Sequence, residues 1–383
     1  MPVMPNANPT NESSSHACVA AWSATGGLRR PRILVVKLTS LGDVVKALPV
    51  VDDIRCALPG ATIDWAVERP CDALVALHPG IDRVIPFELR RYRKERRYGA
   101  GLGALVRDVR ELRARRYDLV VDLQSRMKSA LVGAAAHGPA FGLACGPTSE
   151  RHYDRLYRRA VPRDAIAGLD AVSAYRAQAA WSCGYPRPTG EANYGLREPG
   201  RMPAAPGLIL PSSVAVLLHG SSGSEKCWPE ERWVGLSQAL HERGIRSLLP
   251  WGCPSERERA HRLAAGIPGS SVPGRVLELV DWVGVLARAG LVVGVDTGLT
   301  HLAAACAAPT VAIFRATSAA HSGIHGSVPH RNLGGEGIDV PVEQVVLAAD
   351  AILAGRMPRR ELDGLDHHRV LARLRARPCP SPA

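Results

Sequence analysis

The chain has 383 residues and carries 48 Lys and Arg against 36 Asp and Glu, a formal net charge of +12 at pH 7. This length is about twice that of a typical domain, so we expect two domains, each with its own core. With 46% hydrophobic and 22% charged residues, the composition excludes a wholly disordered chain. The excess positive charge favours an anionic partner, either a nucleic acid, a phosphorylated sugar or an acidic membrane surface. A general bias towards arginine in the proteome is the alternative explanation.

The cysteines and the apolar pattern indicate the compartment. The nine cysteines are an odd number without a Cys-x-x-Cys pair, which argues against a zinc site and a disulfide framework and fits a reducing cytoplasm. No run of about 18 uninterrupted apolar residues occurs, so the sequence predicts a soluble or peripheral protein. Residues 1–31 are polar and lack the basic start of a signal peptide, and we expect a disordered extension there.

The first predicted element is a buried strand, RILVVKL from Arg32, followed by a Gly-containing turn and a helix over residues 44–58. Strands then alternate with helices: strands over 61–68, 83–87 and 117–124, and helices over 71–78 and 102–116. This alternation implies a parallel sheet with right-handed crossovers. An N-terminal Rossmann-like domain is therefore predicted over residues 32–184.

Residues 185–212 are rich in proline and glycine without apolar periodicity, which is typical of an interdomain linker. A second series follows, with strands over 214–220, 245–252, 291–298 and 309–314, and helices over 231–244, 255–266, 278–290 and 299–308. An apolar stripe over 340–353 predicts a helix that closes the second domain or packs against the first. The C-terminal domain is placed at 213–357, and an Arg/Pro-rich tail at 358–383.

In open parallel sheets, ligands bind at the carboxyl ends of the strands. Neither a GxGxxG nor a GxxxxGK[ST] motif occurs, which disfavours an NAD enzyme or a P-loop ATPase. In VVGVDTGLTHLAAA, a strand ends at Asp296, and Thr297 and Gly298 lead into a helix that begins near Leu299. The backbone amides at such a helix start suit a diphosphate, although an ordinary capped helix has the same pattern. We expect Asp296 to bind a nearby hydroxyl or cation, and His301 either to contact phosphate or to pack.

Five segments in chain order carry a specific resemblance: KLTSLGDVVKALP, RRYRK, VVDLQSRMKSAL, HGSSGSEKCWPEERW and VDTGLTHLAAA. Together they resemble the ADP-heptose:lipopolysaccharide heptosyltransferases over about residues 32–353. The resemblance implies a GT-B fold, in which two Rossmann-like domains with parallel sheets face a central cleft. It also implies an inverting, metal-independent transfer of L-glycero-D-manno-heptose from ADP-heptose, held by the C-terminal domain, to the Kdo of lipid A, held by the N-terminal domain. The absence of an Asp-x-Asp motif agrees with a reaction without a metal cofactor.

Roles follow from this resemblance residue by residue. It implies that Asp43 is the catalytic base, although an Asp that only caps the following helix has the same pattern. Lys226 matches a lysine that contacts the donor sugar and diphosphate and stabilises the leaving group. Glu256 matches a carboxylate that binds the ribose hydroxyls. The complete predicted donor side is Ser221, Ser222, Lys226, Glu256, Asp296, Thr297, Gly298, Leu299 and His301.

The acceptor side is predicted on the N-terminal domain. Arg90, Arg93 and Lys94 match residues that meet anionic core sugars, and their charge also suits an acidic membrane surface. Thr39 and Ser40 match small hydroxyl residues of the family, which contact substrate or only form the turn. Asp122 and Gln124 end a predicted strand and are expected to face the cleft. This arrangement implies a cytoplasmic protein, peripheral on the inner face of the inner membrane of a Gram-negative bacterium.

Three alternatives stay open. Within the family, the sequence is most similar to the branch that adds the first heptose, and heptosyltransferase II, which adds the next heptose, is the second choice. A nucleotide-sugar epimerase would share the architecture. A nucleic-acid-binding protein would explain the charge, but only 5% of residues are aromatic and no nucleic-acid-binding motif is found. One departure from the family stands out, because Arg315-Ala316-Thr317 replaces the usual Gly-Pro-Thr.

Overall fold

The computed structural model describes residues 30–89, 100–146, 152–196, 214–221, 223–265, 267–326 and 328–355. The predictions for the N-terminal extension, the C-terminal tail and Ser222 fall outside these residues. So do those for the basic segment that contains Arg90, Arg93 and Lys94.

The first domain contains a six-stranded parallel sheet in the order β3-β2-β1-β4-β5-β6. Its strands are β1 Arg32–Val36, β2 Thr62–Glu68, β3 Arg83–Phe87, β4 Leu119–Asp122, β5 Ala140–Leu143 and β6 Arg159–Val161. β1 lies at the centre, where Val35 is opposite Trp65 of β2 and Val121 of β4. Four of its five residues are buried, as expected for a strand covered on both faces.

In the described part of the first domain, the α-helices beside this sheet are α1 Leu41–Ala47, α2 Pro49–Ala57, α3 Cys71–Val75, α4 Ala100–Leu112, α5 Met127–Ala135 and α6 Ala171–Cys183. The single helix predicted over residues 44–58 is two helices. Leu48 ends α1, and Pro49 is the first residue of α2. A proline suits this position because it has no amide hydrogen to donate to the preceding turn.

The second domain contains a six-stranded parallel sheet in the order β12-β11-β10-β7-β8-β9. Its strands are β7 Val214–Leu218, β8 Arg246–Leu248, β9 Ser270–Ser271, β10 Leu291–Val295, β11 Thr310–Phe314 and β12 His330–Gly334. Its helices are α7 Glu230–His241, α8 Pro254–Ala264, α9 Leu279–Arg288, α10 Gly298–Ala305, α11 Ala319–Ser322 and α12 Val342–Ala354. α12 packs on α7 and β11, so it closes the second domain, the first of the two predicted placements.

Both sheets have the same strand order once the strands are numbered within each domain, the order of the Rossmann fold. The predicted pair of Rossmann-like domains is therefore confirmed. The domains touch through α1 against α10 and α3 against α9. One buried apolar cluster includes Leu74 of the first domain and Val285 of the second. In the described part of the chain, no helix is both long and apolar enough to span a bilayer.

Candidate active site between the two sheets

Each sheet has a switch point, where the strand order reverses and a crevice opens at the carboxyl ends of the strands. The first lies between β1 and β4, and the second between β7 and β10. The turn that carries Thr39, Ser40 and Asp43 follows β1. Ser221 follows β7 and Asp296 follows β10, and the Ser221 hydroxyl donates to the Asp296 carbonyl oxygen at 3.1 Å. These five predicted residues therefore lie at the two switch points.

A cavity of about 340 Å³ opens at the carboxyl ends of β7, β8 and β10. This volume is within the range of small-molecule sites. Its lining residues are Leu218, His219, Gly220, Ser221, Pro250, Trp251, Gly252, Glu256, Leu277, Trp282, Thr297 and Leu299. Four of them, Ser221, Glu256, Thr297 and Leu299, belong to the predicted donor side, whereas the two tryptophans and His219 were not predicted.

Glu256 and His219 supply polar groups to this cavity. Glu256 Oε2 accepts a hydrogen bond from the Gly252 amide at 2.7 Å, and its other oxygen lies against Gly220, where a Cβ atom would approach it to 2.4 Å. A side chain at position 220 would therefore displace the carboxylate. His219 is 1% exposed, and neither ring nitrogen has a hydrogen-bond partner among the described residues. Burial lowers the pKa of His219 to about 4, so the ring is neutral at pH 7.

A charged cluster surrounds the Asp296 carboxylate. Lys226 Nζ lies 2.7 Å from Asp296 Oδ2, and the Thr317 hydroxyl donates to the same oxygen at 2.9 Å. His301 Nε2 lies 3.5 Å from Oδ1, at the limit of a hydrogen bond. Burial acts to raise the pKa of Asp296, but His301, Lys226 and Thr317 outweigh it and hold this pKa below its ordinary value. Asp296 therefore stays ionised and binds a cation and a hydroxyl of the chain itself.

The start of α10 borders both the cavity and the first domain. Thr297 is its N-cap residue and forms no side-chain cap, and Thr297 and Leu299 line the cavity. On the other side, α10 meets α1 so closely that a Cβ atom on Gly298 would lie 2.9 Å from the Gly42 amide nitrogen. His301 is 5% exposed and packs against Gly42. The predicted anion-binding helix end therefore lies on the contact between the domains.

Asp43 lies in the first turn of α1, on the first-domain side of this contact. Its Oδ2 accepts from the Ser40 amide at 3.2 Å and the Ser40 hydroxyl at 2.9 Å, so it does cap the helix. Its Oδ1 accepts from the Tyr175 hydroxyl at 3.3 Å. Burial acts to raise the pKa of Asp43, but Lys37 and the Ser40 hydrogen bonds hold this pKa below its ordinary value. Asp43 as a residue is neither fully buried nor fully exposed.

Two buried lysines beside Asp43 were not predicted as site residues. Lys37 is 3% exposed and Lys46 is 8% exposed. Burial lowers the pKa of Lys37 to about 8, with Asp43 acting in the opposite direction. Burial also lowers the pKa of Lys46, against the attraction of Asp43 and Asp296. The available signal was compositional, because the segment KLTSLGDVVK contains two of the five lysines in a chain with 43 arginines.

The prediction that Asp122 faces the cleft is wrong. Asp122 is fully buried, and its carboxylate accepts from the Ser125 amide at 3.0 Å and the Tyr157 hydroxyl at 2.8 Å. Burial raises its pKa. Because the backbone turns immediately after β4, the carboxylate points inside the domain, where it holds that turn.

Gln124 has a different position. Its side-chain oxygen accepts from the Leu38 and Thr39 amides at 2.9 and 3.0 Å, so it braces the turn that carries Thr39 and Ser40. Ser40 is exposed at this turn. The acceptor contacts predicted for Thr39, Ser40 and Gln124 stay predictions.

Arg315, the departure noted in the sequence, tethers the loop of Lys226. Its guanidinium donates to the carbonyl oxygen of Cys227, the residue after Lys226. Of the Gly-Pro-Thr pattern of the family, this sequence retains the threonine as Thr317. The Thr317 hydroxyl is the group that donates to Asp296. Position 315 therefore supports the cluster from outside, while Thr317 contacts it directly.

The chain has two doubly wound domains, and their switch points meet where α1 packs on α10. A small-molecule cavity lies on the second domain. These features define the GT-B architecture of nucleotide-sugar enzymes. The family model described as glycosyltransferase family 9 (heptosyltransferase) matches residues 105–329, more than half of the chain. Lipopolysaccharide heptosyltransferase 1 of Pseudomonas aeruginosa is 40% identical over 296 residues, which is 77% of this chain and 81% of that protein. The enzyme of the same name from Escherichia coli K12 is 38% identical over 304 residues, 77% of this chain and 91% of that protein.

Solved structures of a heptosyltransferase also match this chain. The structure of E. coli heptosyltransferase WaaC with ADP matches with a TM-score of 0.71 at 33% identity, over 85% of this chain and 100% of that one. The same enzyme with ADP-2-deoxy-2-fluoro heptose matches with the same TM-score at 32% identity, over the same shares of the two chains. The chain belongs to glycosyltransferase family 9, the heptosyltransferases, as the sequence resemblance implied.

Proposed function

We propose that this protein transfers L-glycero-D-manno-heptose from ADP-heptose to the Kdo of lipid A, with inversion at the anomeric carbon, in the synthesis of the lipopolysaccharide inner core. One observation carries the proposal. The partly exposed residue Asp43 and the cluster of Lys226 and Asp296 lie at the two switch points, which meet where α1 packs on α10. The relatives named lipopolysaccharide heptosyltransferase 1, at 36–40% identity, support the choice of reaction.

The donor fits the cavity of the second domain. E. coli heptosyltransferase WaaC has been solved with ADP and with ADP-2-deoxy-2-fluoro heptose, which supports a nucleotide-sugar ligand at this site. Glu256 is suited to the ribose hydroxyls, because a carboxylate accepts from two neighbouring hydroxyl groups. The amides at the start of α10 and the Lys226 ammonium are suited to the diphosphate. This orientation leaves the heptose towards the domain contact and Asp43.

The proposed chemistry is a single displacement. Asp43 accepts the proton of the acceptor hydroxyl as that oxygen forms a bond to the anomeric carbon of the heptose. The bond from this carbon to the diphosphate breaks, and its electron pair leaves with ADP. Lys226 stabilises the charge that develops on the leaving diphosphate. In this proposal the ammonium and the helix end perform the role of a divalent cation, and the reaction uses no metal or other cofactor.

The similarity favours the first heptose transfer over the second. Heptosyltransferase 2 of Salmonella typhimurium is 24% identical over 302 residues, against 40% for the P. aeruginosa heptosyltransferase 1. The basic segment of Arg90, Arg93 and Lys94 is assigned in this proposal to the anionic acceptor and to the acidic surface of the membrane in which lipid A is embedded. We accordingly place the protein in the cytoplasm, peripheral on the inner face of the inner membrane of a Gram-negative bacterium.

Product analysis tests the proposal. The purified protein is incubated with ADP-heptose and Kdo-bearing lipid A, and the lipid is examined by mass spectrometry for the gain of one heptose. Parallel reactions contain an acceptor that already carries the first heptose, or no acceptor. Transfer only to the heptosylated acceptor would assign the second step, and a new sugar nucleotide formed without acceptor would assign an epimerase.

The base assignment predicts the behaviour of Asp43→Asn. The substitution keeps the shape of the side chain but removes the proton acceptor, so the transfer rate should fall by ~100-fold or more while ADP binds with nearly native affinity. The measurements are initial rates and a calorimetric titration with ADP. Asp72→Asn is the control, because Asp72 pairs with Arg69 at 3.1 Å near the start of α3. A variant of Asp43 that retained most of the native rate would show that another group is the base.

A further inference from the structure

A hydrogen-bonded chain reaches Asp43 from α6, a helix that was not predicted from the sequence. Lys37 Nζ donates to the Tyr175 hydroxyl oxygen at 2.8 Å, and the Tyr175 hydroxyl donates to Asp43 Oδ1 at 3.3 Å. The Lys37 ammonium also lies 4.3 Å from the centre of the Tyr175 ring. These three groups come from the end of β1, the middle of α6 and the first turn of α1. One phenol therefore links a buried cation to the carboxylate.

The two oxygens of Asp43 have different partners. Ser40 donates twice to Oδ2, and this bonding belongs to the local cap of α1. Oδ1 accepts from Tyr175, which is 132 residues away in the chain. A carboxylate held on one side only can rotate about its bond to Cβ, whereas donors on both oxygens fix its plane. Tyr175 therefore supplies the constraint that the cap alone does not.

We propose that Tyr175 is a positioning residue for the base: its hydroxyl fixes the Asp43 carboxylate towards the acceptor and links it to the Lys37 ammonium. The inference rests on the proposed role of Asp43 as the base. Tyr175 itself exchanges no proton with the substrate. When Asp43 takes the acceptor proton, the phenol remains the donor to the same carboxyl group, and Lys37 remains the donor to the phenol.

The helix α6 is held firmly enough for this role. Asp170 caps its start by accepting from the Val172 and Ser173 amides at 2.9 and 3.0 Å. Arg176, the residue after Tyr175, joins α6 to α2. Its guanidinium donates two hydrogen bonds of 2.7 and 2.8 Å to the Asp53 carboxylate. Both of these side chains are largely buried. The residue next to Tyr175 is therefore fixed, and the phenol has little freedom to leave Asp43.

The charges around Asp43 determine the expected direction of a pH effect. Groups that act on Asp43 or on the cations beside it lie on all the neighbouring elements: Lys37, Lys46, Asp122, Arg126, Asp170, Tyr175, Lys226, Asp296 and His301. A hydrogen bond donated to a carboxylate stabilises its ionised form, so loss of the Tyr175 hydroxyl raises the pKa of Asp43. The base must be ionised to act. The acidic limb of the pH profile should therefore move to higher pH when the hydroxyl is removed.

Tyr175→Phe tests the inference, because it keeps the ring and removes only the hydroxyl. We expect kcat to fall ~10-fold, the factor that corresponds to one hydrogen bond to a charged group, with the KM for ADP-heptose unchanged. The acidic limb of kcat/KM for the acceptor should move up by ~0.5–1 pH unit. Tyr185→Phe is the matched control, since its buried hydroxyl has no hydrogen-bond partner among the described residues. An acidic limb at the same pH in the two variants would overturn the inference.

Asp43→Asn separates this inference from the proposed function. If Asp43→Asn retains activity, the base assignment fails, and the inference falls with it. If Asp43→Asn is inactive but Tyr175→Phe has the native pH profile, only the positioning role fails. Thermal melting and ADP binding verify that Tyr175→Phe is folded. Should it not fold, Lys37→Met tests the link from its other end, because loss of this cation should also move the acidic limb to higher pH; an unmoved limb would contradict the link.

Discussion

At the scale of single residues, Lys226 forms an ion pair with Asp296 and is proposed to bind the diphosphate. In the structure its ammonium lies 2.7 Å from Asp296 Oδ2, so the cation is held at the end of β10. An ion pair of this kind also places the cation beside the start of α10, where the diphosphate is proposed to bind. Asp296 therefore orients the lysine, and this explains how a carboxylate can belong to the proposed diphosphate site.

Lys226→Met should weaken ADP binding by ~10–100-fold, because the diphosphate loses a charge-assisted hydrogen bond and Asp296 loses its cation. A calorimetric titration with ADP measures the effect. Arg262→Met removes one positive charge from the same domain, where Arg262 pairs with Glu230 at 2.8 Å on the surface of α8. Equal ADP affinities for the two variants would show that the long-range charge, and not the contact, governs binding.

The sequence was informative about site residues that lie within a motif and uninformative about those that do not. Asp43 and Lys226 stand in turns that follow buried strands, a position that parallel α/β folds use for ligands. Tyr175 could not be found in this way, because its contact with Asp43 depends on how α6 crosses the first sheet. Asp122 stands at the end of a buried strand, as a ligand-binding residue would. Its carboxylate nevertheless points into the domain, because it accepts a hydrogen bond from the turn after β4.

At the scale of elements, the contact between α1 and α10 depends on two glycines. A Cβ atom on Gly298 would lie 2.8 Å from Leu41 Cγ and 2.9 Å from the Gly42 amide nitrogen. The second of these contacts is with backbone, so a rotation of a side chain could not relieve it. The two helices can approach this closely because both positions lack a side chain, and the approach brings the switch points together.

Gly298→Ala should therefore separate the domains at the site. We expect transfer to fall by at least ~10-fold, because catalysis is sensitive to displacements of the order of 1 Å. Initial rates measure the effect. Gly235→Ala in α7 is the control, since its Cβ atom would lie 3.6 Å from Val342, an ordinary contact. Native transfer rates in Gly298→Ala would show that the contact is not needed for the reaction.

The elements that were predicted from the sequence share a clear pattern, and those that were missed lack it. β1, β7 and β10 are fully or almost fully buried runs that end in Gly-containing turns. The sequence of α6 has no apolar stripe of helical period. Most of its own residues are buried, and the polar residues Arg176 and Gln178 are among them. β5 and β6 have four and three residues, too few for a periodic pattern. Tertiary packing, which local sequence does not encode, determines these elements.

At the scale of the whole molecule, the two domains have the same strand order but different proposed roles. Both have the Rossmann strand order, and both present their switch point to the other. The cavity that contains Glu256 belongs to the second domain, whereas Asp43, which is partly exposed, belongs to the first. A repeated architecture was predictable from alternating strands and helices. The proposed division of roles was implied by the family resemblance and not by the pattern of elements, because it depends on side chains such as Trp282 and Glu256 that line one of the two crevices.

The net charge of +12 gives the last prediction, which concerns the proposed membrane surface. The protein should sediment with vesicles that contain anionic phospholipid and not with neutral vesicles, and 0.5 M salt should release it. Replacing Arg90, Arg93 and Lys94 by Gln should weaken this binding by about 100-fold, because each basic residue at an acidic surface contributes about 1 kcal/mol. Replacing Arg262, Arg275 and Arg331 of the second domain by Gln removes the same charge elsewhere. If both triple variants lose the same affinity, binding depends on the total charge and the segment at 90–94 is not the membrane contact.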